Sequence, residues 1–286
     1  MKTIKYFFQF IIITFLFLLF KILGLKISSS ISGKIFQIIG PFFRSKKLIN
    51  ENIKRAFPKI SQDRLEEISK GMWNNYGKIF AEYMFLKNFR LDQKNSNIII
   101  EGQEVLDKIK SENKPVVFIS GHFSNFELMA MQIEKSGIKL SAIYRPLNNK
   151  FLNTIMENIR IKFICKKQIK KGIGGIKELV RLQKKNYSTA LMIDQRVTEG
   201  IESNFFSKRA FTTTIPAQLV KKFNNPIVPI FIERIDKVKF KITIHKPLIF
   251  ANNNSTQKIT DELNKILEKM ILQKPEQWIW THNRWK

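Results

Sequence analysis

The chain opens on an apolar run: from Tyr6 to Phe20 only Gln9 and Thr14 are polar. At a helical rise of about 1.5 Å per residue the run covers about 22 Å, short of the roughly 30 Å hydrocarbon core of a bilayer. Including Ile4 and continuing to Leu25 reaches spanning length if Lys21 snorkels to the interface. The pattern predicts a transmembrane anchor helix over residues 1–25. A cleaved signal peptide competes with it, because Lys2 and Lys5 form a basic leader. No clear small-residue cleavage site follows, the nearest being Ser28-Ser29-Ser30, and the apolar stretch is long for a signal peptide. Residues 26–95 read as helical. Ile49 to Phe57 stops at Pro58, and Ser61 is placed as the N-cap of a run to Phe85 carrying Leu65, Ile68, Met72, Tyr76 and Ile79 at helical spacing.

From about Ile98 the period changes. Short strands are predicted at Pro115–Ser120, Lys139–Tyr144, Ser188–Ile193, Ile227–Glu233 and Val238–Ile244. Between and after them come helical segments at Glu127–Ser136, Asn149–Phe163, Gly175–Lys184, Pro216–Phe223 and Thr260–Leu272. Such alternation predicts an α/β fold, a mixed and largely parallel sheet flanked by helices, over residues 96–286. A loop is expected at Asn252-Asn253-Asn254-Ser255.

Charge adds a partner class. The 286 residues carry a formal net charge of +27, which favours anionic partners, although some of the lysine excess follows a general richness in Lys, Ile and Asn. The heavier basic flank after the apolar run, with Lys26, Lys34, Arg44, Lys46 and Lys47, places the main domain on the cytoplasmic side. Cys165 is the only cysteine, so no intrachain disulfide forms. Three scattered histidines have no metal-ligand spacing, so neither a metal nor another cofactor is called for. A nucleic-acid-binding protein would share the charge, but no binding motif accompanies it.

Candidate chemistry gathers at strand ends, where open α/β sheets carry their sites. His122 follows the first of these strands, Arg145 the second, and Asp194-Gln195 the third. If the three strands run parallel, these groups share one rim. His122 and Glu127 lie five positions apart; within one regular helix they would diverge by about 140°. His122 therefore belongs to the turn before a helix that Glu127 enters, and an imidazole held by a carboxylate is a general base near neutral pH. The competing reading is local, with Ser124-x-x-Glu127 as a capping box. Arg160 lies in a basic stretch with Lys162, Lys166 and Lys167, either a solvated face or a site for phosphate or carboxylate groups. Phe205-Phe206 reads as core or as an acyl-pocket or membrane-facing loop, with no strand pattern around it. His282 is a rival base among Trp278, Trp280 and Trp285, and Gly172-Ile173-Gly174-Gly175 reads as a helix entry.

Taken in order, Asn52 with Ala56-Phe57-Pro58, the Gly121–Glu127 segment, Tyr144-Arg145-Pro146, Asp194-Gln195-Arg196, Phe205-Phe206, Thr212-Thr213-Thr214 and the tail Pro275–Lys286 resemble the late lauroyl/myristoyl acyltransferases of lipid A biosynthesis. The resemblance covers nearly the whole chain. It implies an inner-membrane enzyme with one N-terminal anchor and a cytoplasmic domain related to glycerol-3-phosphate acyltransferases. Its donor would be acyl carrier protein, and its acceptor a hydroxyl of a phosphorylated saccharolipid among inner-membrane lipids. The family's catalytic pair falls on His122 and Glu127, and further activity positions on Arg160 and Asp194. The chain departs from the pattern at Ser124, Phe126 and Ser207, where members often have Gly, Trp and Gly. The acceptor alternatives are a phosphatidylinositol mannoside or an ornithine lipid.

Overall fold

A seven-stranded sheet forms the centre of the molecule, in the spatial order β1-β9-β8-β2-β5-β3-β4. The strands are β1 (Ile98–Glu101), β2 (Val117–Ser120), β3 (Leu140–Tyr144), β4 (Lys167–Lys170), β5 (Ser188–Met192), β8 (Ile227–Asp236) and β9 (Lys239–Ile244). All neighbours pair in parallel except β8 with β9. The computed structural model describes residues 2–94, 96–251 and 253–285. Asn252, within the expected Asn-rich loop, and Lys286, the last residue of the tail motif, lie outside them.

The sheet is covered on both faces, and this explains why β2 reads Val-Phe-Ile-Ser with every residue buried. The helices between strands are α6 (Gln103–Glu112), α7 (Glu127–Lys135), α8 (Lys150–Phe163), α9 (Ile173–Gln183) and α10 (Ile215–Phe223), with α11 (Thr256–Gln273) after β9. The predicted strands and helices are all present with ends shifted by a few residues, and α9 does begin at the glycine entry, with Gly172 as its N-cap. Strand β1 and helix α6 were not among the predicted elements, and neither was strand β4. Its sequence Lys-Gln-Ile-Lys carries one buried residue, Ile169, because it is an edge strand whose lysines protect the open side.

A second strand pair also escapes the pattern. β6 (Ile201–Phe205) and β7 (Lys208–Thr212) form an antiparallel hairpin. Its two-residue turn, Phe206-Ser207, has φ of 51° and 58°. Both values lie in the left-handed region usual for Gly or Asn in such turns, so neither residue advertises the hairpin.

The first part of the chain is helical as expected. It comprises α1 (Lys2–Leu23), α2 (Leu25–Phe43), α3 (Lys46–Ala56) and α4 (Gln62–Glu82), then a 3₁₀ turn at Tyr83–Phe85 and α5 (Leu86–Leu91). Ser61 caps α4 by accepting from the Arg64 N–H. Helix α1 is long and apolar enough to cross a membrane, with a mean hydropathy of 2.3. Helices α2 and α4 approach closely because Gly77 has no side chain: a Cβ there would lie 2.2 Å from the Ser32 carbonyl oxygen.

One buried ion pair joins the helical part to the sheet. Arg234 on β8 grips Glu82 at the end of α4 through two bonds of 2.6 and 3.0 Å, and both residues are buried. Glu82 also accepts from Ser29 of α2 at 2.6 Å and from Asn125 at 3.0 Å. Replacing Glu82 by Ala leaves the guanidinium uncompensated in the interior. We expect a loss of about 3–5 kcal/mol of unfolding free energy, measured by denaturant titration of the detergent-solubilised protein; a loss below about 1 kcal/mol would refute this account of the pair.

Candidate active site

The parallel pairing of β2, β3 and β5 brings their C-terminal ends to one rim. After β2 the chain turns sharply through Gly121, where a Cβ would meet the Phe123 ring at 2.8 Å and an Asp194 carboxylate oxygen at 3.2 Å. His122 follows, and its side chain is held from below by Asp194, which ends the β5 crossing and is fully buried. The imidazole Nδ1–H donates to Asp194 Oδ1 over 2.8 Å, and the His122 backbone N–H donates to Oδ2 over 2.7 Å. The indole N–H of Trp278 completes the set at 2.9 Å.

This corrects the sequence reading of the imidazole's partner. His122 is oriented by Asp194, 72 positions away, and Glu127 makes its own ion pair. Glu127 stands in the first turn of α7 and accepts from Arg160 Nε of α8 at 2.9 Å as well as from its Nη2. Arg160 is therefore a partner of the carboxylate rather than part of a solvated basic face, and it also stacks on the Tyr144 ring at 5.6 Å. The capping box does not form. The residue before α7 is Phe126, while Ser124 adopts φ 42° and buries its hydroxyl without a hydrogen-bond partner among the described residues. Ser124 is held in that conformation by its backbone N–H, which donates to the Gln277 carbonyl at 2.9 Å.

A cavity of about 440 Å³ opens at this rim. Such a volume lies within the roughly 300–1,000 Å³ of small-molecule sites. Its mouth carries His122, Glu127, Arg145, Arg160, Lys171 and Gln195. Its wall is apolar, with Phe118, Met129, Ile133, Ala142, Ile164 and Leu191 between the sheet and helices α7 and α8. With Nδ1 committed to Asp194, His122 presents Nε2 toward this space as the ring's free lone pair.

Phe205 and Phe206 do not line the cavity. Phe205 is completely buried, its ring packed edge-on to Trp278, tilted against Trp285 and covered by the Arg284 guanidinium, so it is core at the end of β6 and not a pocket or membrane-facing residue. Phe206 is partly buried and packs on Phe205 and Trp285. The tail tryptophans Trp278 and Trp280 are likewise interior.

The electrostatics separate the three histidines. Burial alone would lower the His122 pKa, but the Asp194 charge and hydrogen bond, followed by the Glu127 charge, outweigh it and hold the ring above the ordinary imidazole value. Burial likewise pushes Asp194 up, yet His122 and the Trp278 donor prevail and keep its carboxyl below the usual carboxylate range. His282, the rival base, has its Nε2 occupied as acceptor of the Arg196 backbone N–H at 2.9 Å, and burial lowers it to about 4. With Nε2 accepting, the neutral ring carries its proton on Nδ1 and has no free lone pair. His245 is half-buried away from the cavity, its pKa lowered by burial. Among the described residues no group of three or more His, Cys, Asp or Glu side chains could hold a metal ion.

The motifs of the early chain and the tail converge beneath this site. Asn52 donates to the carbonyls of Trp280 and His282 at 2.9 and 2.8 Å, and Arg284 reaches Thr212 at 2.7 Å. The partner Asp194 was named by the sequence as a strand-end residue; Trp278 and Gln277, which fix the loop from the tail, were missed as site residues because nothing local marks them.

Fold and site thus define an α/β protein with one oriented imidazole at the mouth of an apolar slot. The chain belongs to the bacterial lipid A biosynthesis acyltransferases, whose family model matches residues 1–286. It is 23% identical over 255 residues to lipid A biosynthesis acyltransferase 2 of Shigella flexneri, covering 87% of this chain and 80% of that protein. It is 21% identical over 258 residues to the lipid A biosynthesis palmitoleoyltransferase of Escherichia coli (strain K12), covering 88% and 83%. To the lauroyltransferase of the same organism it is 22% identical over 253 residues, covering 85% and 79%.

The His122–Asp194 geometry sets a pH dependence. Acyl transfer activity is expected to rise with pH as His122 loses its proton, with the limb above the pH of an unperturbed imidazole. Asp194→Asn removes the charge that favours the protonated ring, so the limb should move to lower pH while the rate falls about 10²–10⁴-fold. A limb that stays in place in the Asn variant would dissociate Asp194 from the imidazole.

Proposed function

We propose that this acyltransferase moves a fatty acyl chain from the thioester of acyl carrier protein to a hydroxyl of a phosphorylated lipid A precursor. The reaction takes place at the cytoplasmic face of the inner membrane, where α1 anchors the chain. The observation that carries the chemistry is the His122 imidazole, tied through Nδ1 to buried Asp194 and free at Nε2 in the mouth of the apolar slot.

His122 Nε2 takes the proton of the acceptor hydroxyl as its oxygen attacks the thioester carbonyl. The imidazolium that forms is stabilised by Asp194 beneath it and by the Glu127 charge beside it. The tetrahedral oxyanion is held by donors at the rim, where α7 begins and the Arg160 and Arg145 guanidinium groups stand. Collapse breaks the carbon–sulfur bond, and the carrier thiolate leaves with the proton returned by His122. The acyl chain occupies the apolar wall formed by residues such as Met129, Ile133 and Leu191. Arg145, Lys171 and Gln195 at the mouth suit the phosphates and sugar hydroxyls of the acceptor. The net charge of +27 suits an acidic carrier protein as well as a phosphorylated acceptor.

The test uses purified full-length enzyme with acyl carrier protein and coenzyme A thioesters as rival donors and a phosphorylated lipid A precursor as acceptor. The carrier-protein thioester should be the better donor, with a rate that falls between low and moderate salt as screening shortens to about 10 Å at 0.1 M. His122→Ala should lower turnover by about 10²–10⁴-fold or more. Near-wild-type turnover in that variant would sink the base assignment, and equal use of both donors without salt dependence would sink the carrier-protein assignment.

A further inference from the structure

Helix α2 is built inside-out for water. The face packed against α4 is made mainly of small and polar residues, Ser28, Ser29, Ser32, Gly33 and Gly40, all buried, with Phe36 packed on Phe80. The opposite face carries Ile27, Ile31, Ile35, Ile38 and Phe42 at spacings of three and four, all exposed; Ile38 is 72% and Phe42 87% accessible. A stripe of this kind, continuous over a whole helix, is too large to be an incidental surface feature. Cations flank it, with Lys26 near its start, Lys34 beside it and Arg44, Lys46 and Lys47 past its end, all exposed. An apolar stripe edged by basic residues is the pattern of a helix lying in the plane of an anionic membrane surface.

Helix α1 is continuous with that stripe through the single linker Gly24, and it is fastened to the catalytic domain along its length. Near its start the Tyr6 carbonyl accepts from Asn149, and Phe7 and Phe10 pack on Phe151, both at the beginning of α8. Near its end Phe17 and Phe20 are buried against Phe80 of α4. From Tyr6 to Phe20 this is about 22 Å of helix laid on the domain. A helix that crossed the bilayer in this arrangement would draw Asn148, Asn149 and Lys150 into the hydrocarbon, where unpaired polar groups are costly. The rest of its surface, including Phe8, Ile12, Phe15 and Ile22, is exposed and apolar.

We infer that α1 and α2 form a two-helix seat lying in one leaflet, with the N-terminus on the same side of the membrane as the catalytic domain, in place of a spanning anchor. The occupant of the apolar face is the hydrocarbon edge of a phospholipid leaflet bearing anionic head groups. The seat connects to the site at two points. Helix α8, on which α1 rests, supplies Arg160 to the cavity, and Ile164 just past its end lines it too. Helix α2, through Ser29, shares the Glu82 carboxylate with Asn125 of the His122 loop. The cavity frame is thereby fixed relative to the leaflet that holds a lipid acceptor. The inference rests on the membrane attachment stated above and concerns its mode.

Single-cysteine labelling separates the modes, because the native Cys165 is fully buried and silent. Thr3→Cys reports the N-terminus and Asn253→Cys the catalytic domain, both at exposed positions. An impermeant maleimide is applied to right-side-out and inside-out membrane vesicles from cells expressing each full-length variant. The seat predicts that both cysteines label from the same face; labelling from opposite faces establishes a span and overturns it. As a second measurement, Ile38→Cys carrying a nitroxide is placed in vesicles of phosphatidylethanolamine and phosphatidylglycerol. Greater accessibility to oxygen than to a water-soluble nickel complex supports α2 in the leaflet, and the reverse overturns it. A chain that remains in the supernatant after membranes are sedimented refutes membrane attachment itself, while acyl transfer in the purified assay is read independently of either result.

Discussion

The site depends on one buried carboxylate. Asp194 has no access to solvent, and an ionised carboxylate in such a place is tolerated only when its oxygens are satisfied. Here the His122 backbone, the His122 ring and the Trp278 indole supply three donors, and they come from three separate stretches of chain. The carboxylate thus fixes the β2 loop, the end of β5 and the C-terminal tail relative to one another. Its two bonds to His122 leave the ring one tautomer and one orientation, so Nε2 points to the slot without any further contact being required.

A second buried carboxylate secures the same loop from the opposite side. Glu82 is neutralised by Arg234, and its remaining capacity goes to Ser29 and Asn125. Gln277 adds a third restraint. It exchanges hydrogen bonds with the Arg234 backbone at 2.7 and 3.0 Å and accepts from the Ser124 N–H. Ser124 can then hold φ 42°, an uncommon conformation for a residue with a side chain. A glycine would reach it without strain. The same reasoning applies to Ser207 at φ 58° in the hairpin turn.

Local signals made much of this arrangement legible in the sequence. Strand-end placement located His122, Arg145 and Asp194 on one rim, since a parallel sheet puts its strand ends together once its period is recognised. Periodicity also exposed the helical first part and the apolar face of α11. What the sequence could not reveal was pairing. His122 and Glu127 are near neighbours, so spacing suggested that they bond to each other; the turn at Gly121 instead lowers the imidazole onto Asp194 and leaves Glu127 to Arg160. The Glu82–Arg234 bond joins residues 152 positions apart, and neither has a local signature. Strand β4 and the hairpin escaped because an edge strand and a left-handed turn without Gly or Asn lack the expected composition. The opening apolar run was legible as one helix, and α1 is long and apolar enough to cross a membrane.

The charge of the whole protein poses a problem that the local carboxylates solve. A net +27 disfavours another positive charge, and burial disfavours it further, so an isolated imidazole here would lose its proton at low pH and make a weak base. Asp194 reverses this by direct contact, and Glu127 assists from the first turn of α7. Glu127 cannot serve as fully as Asp194, because Arg160 already compensates it and itself lowers the His122 pKa. The two carboxylates therefore divide the work. Asp194 sets the basicity and tautomer of the imidazole, while Glu127 fixes the Arg160 guanidinium at the mouth of the slot. A large net positive charge and an imidazole held above its ordinary pKa can then coexist in one protein.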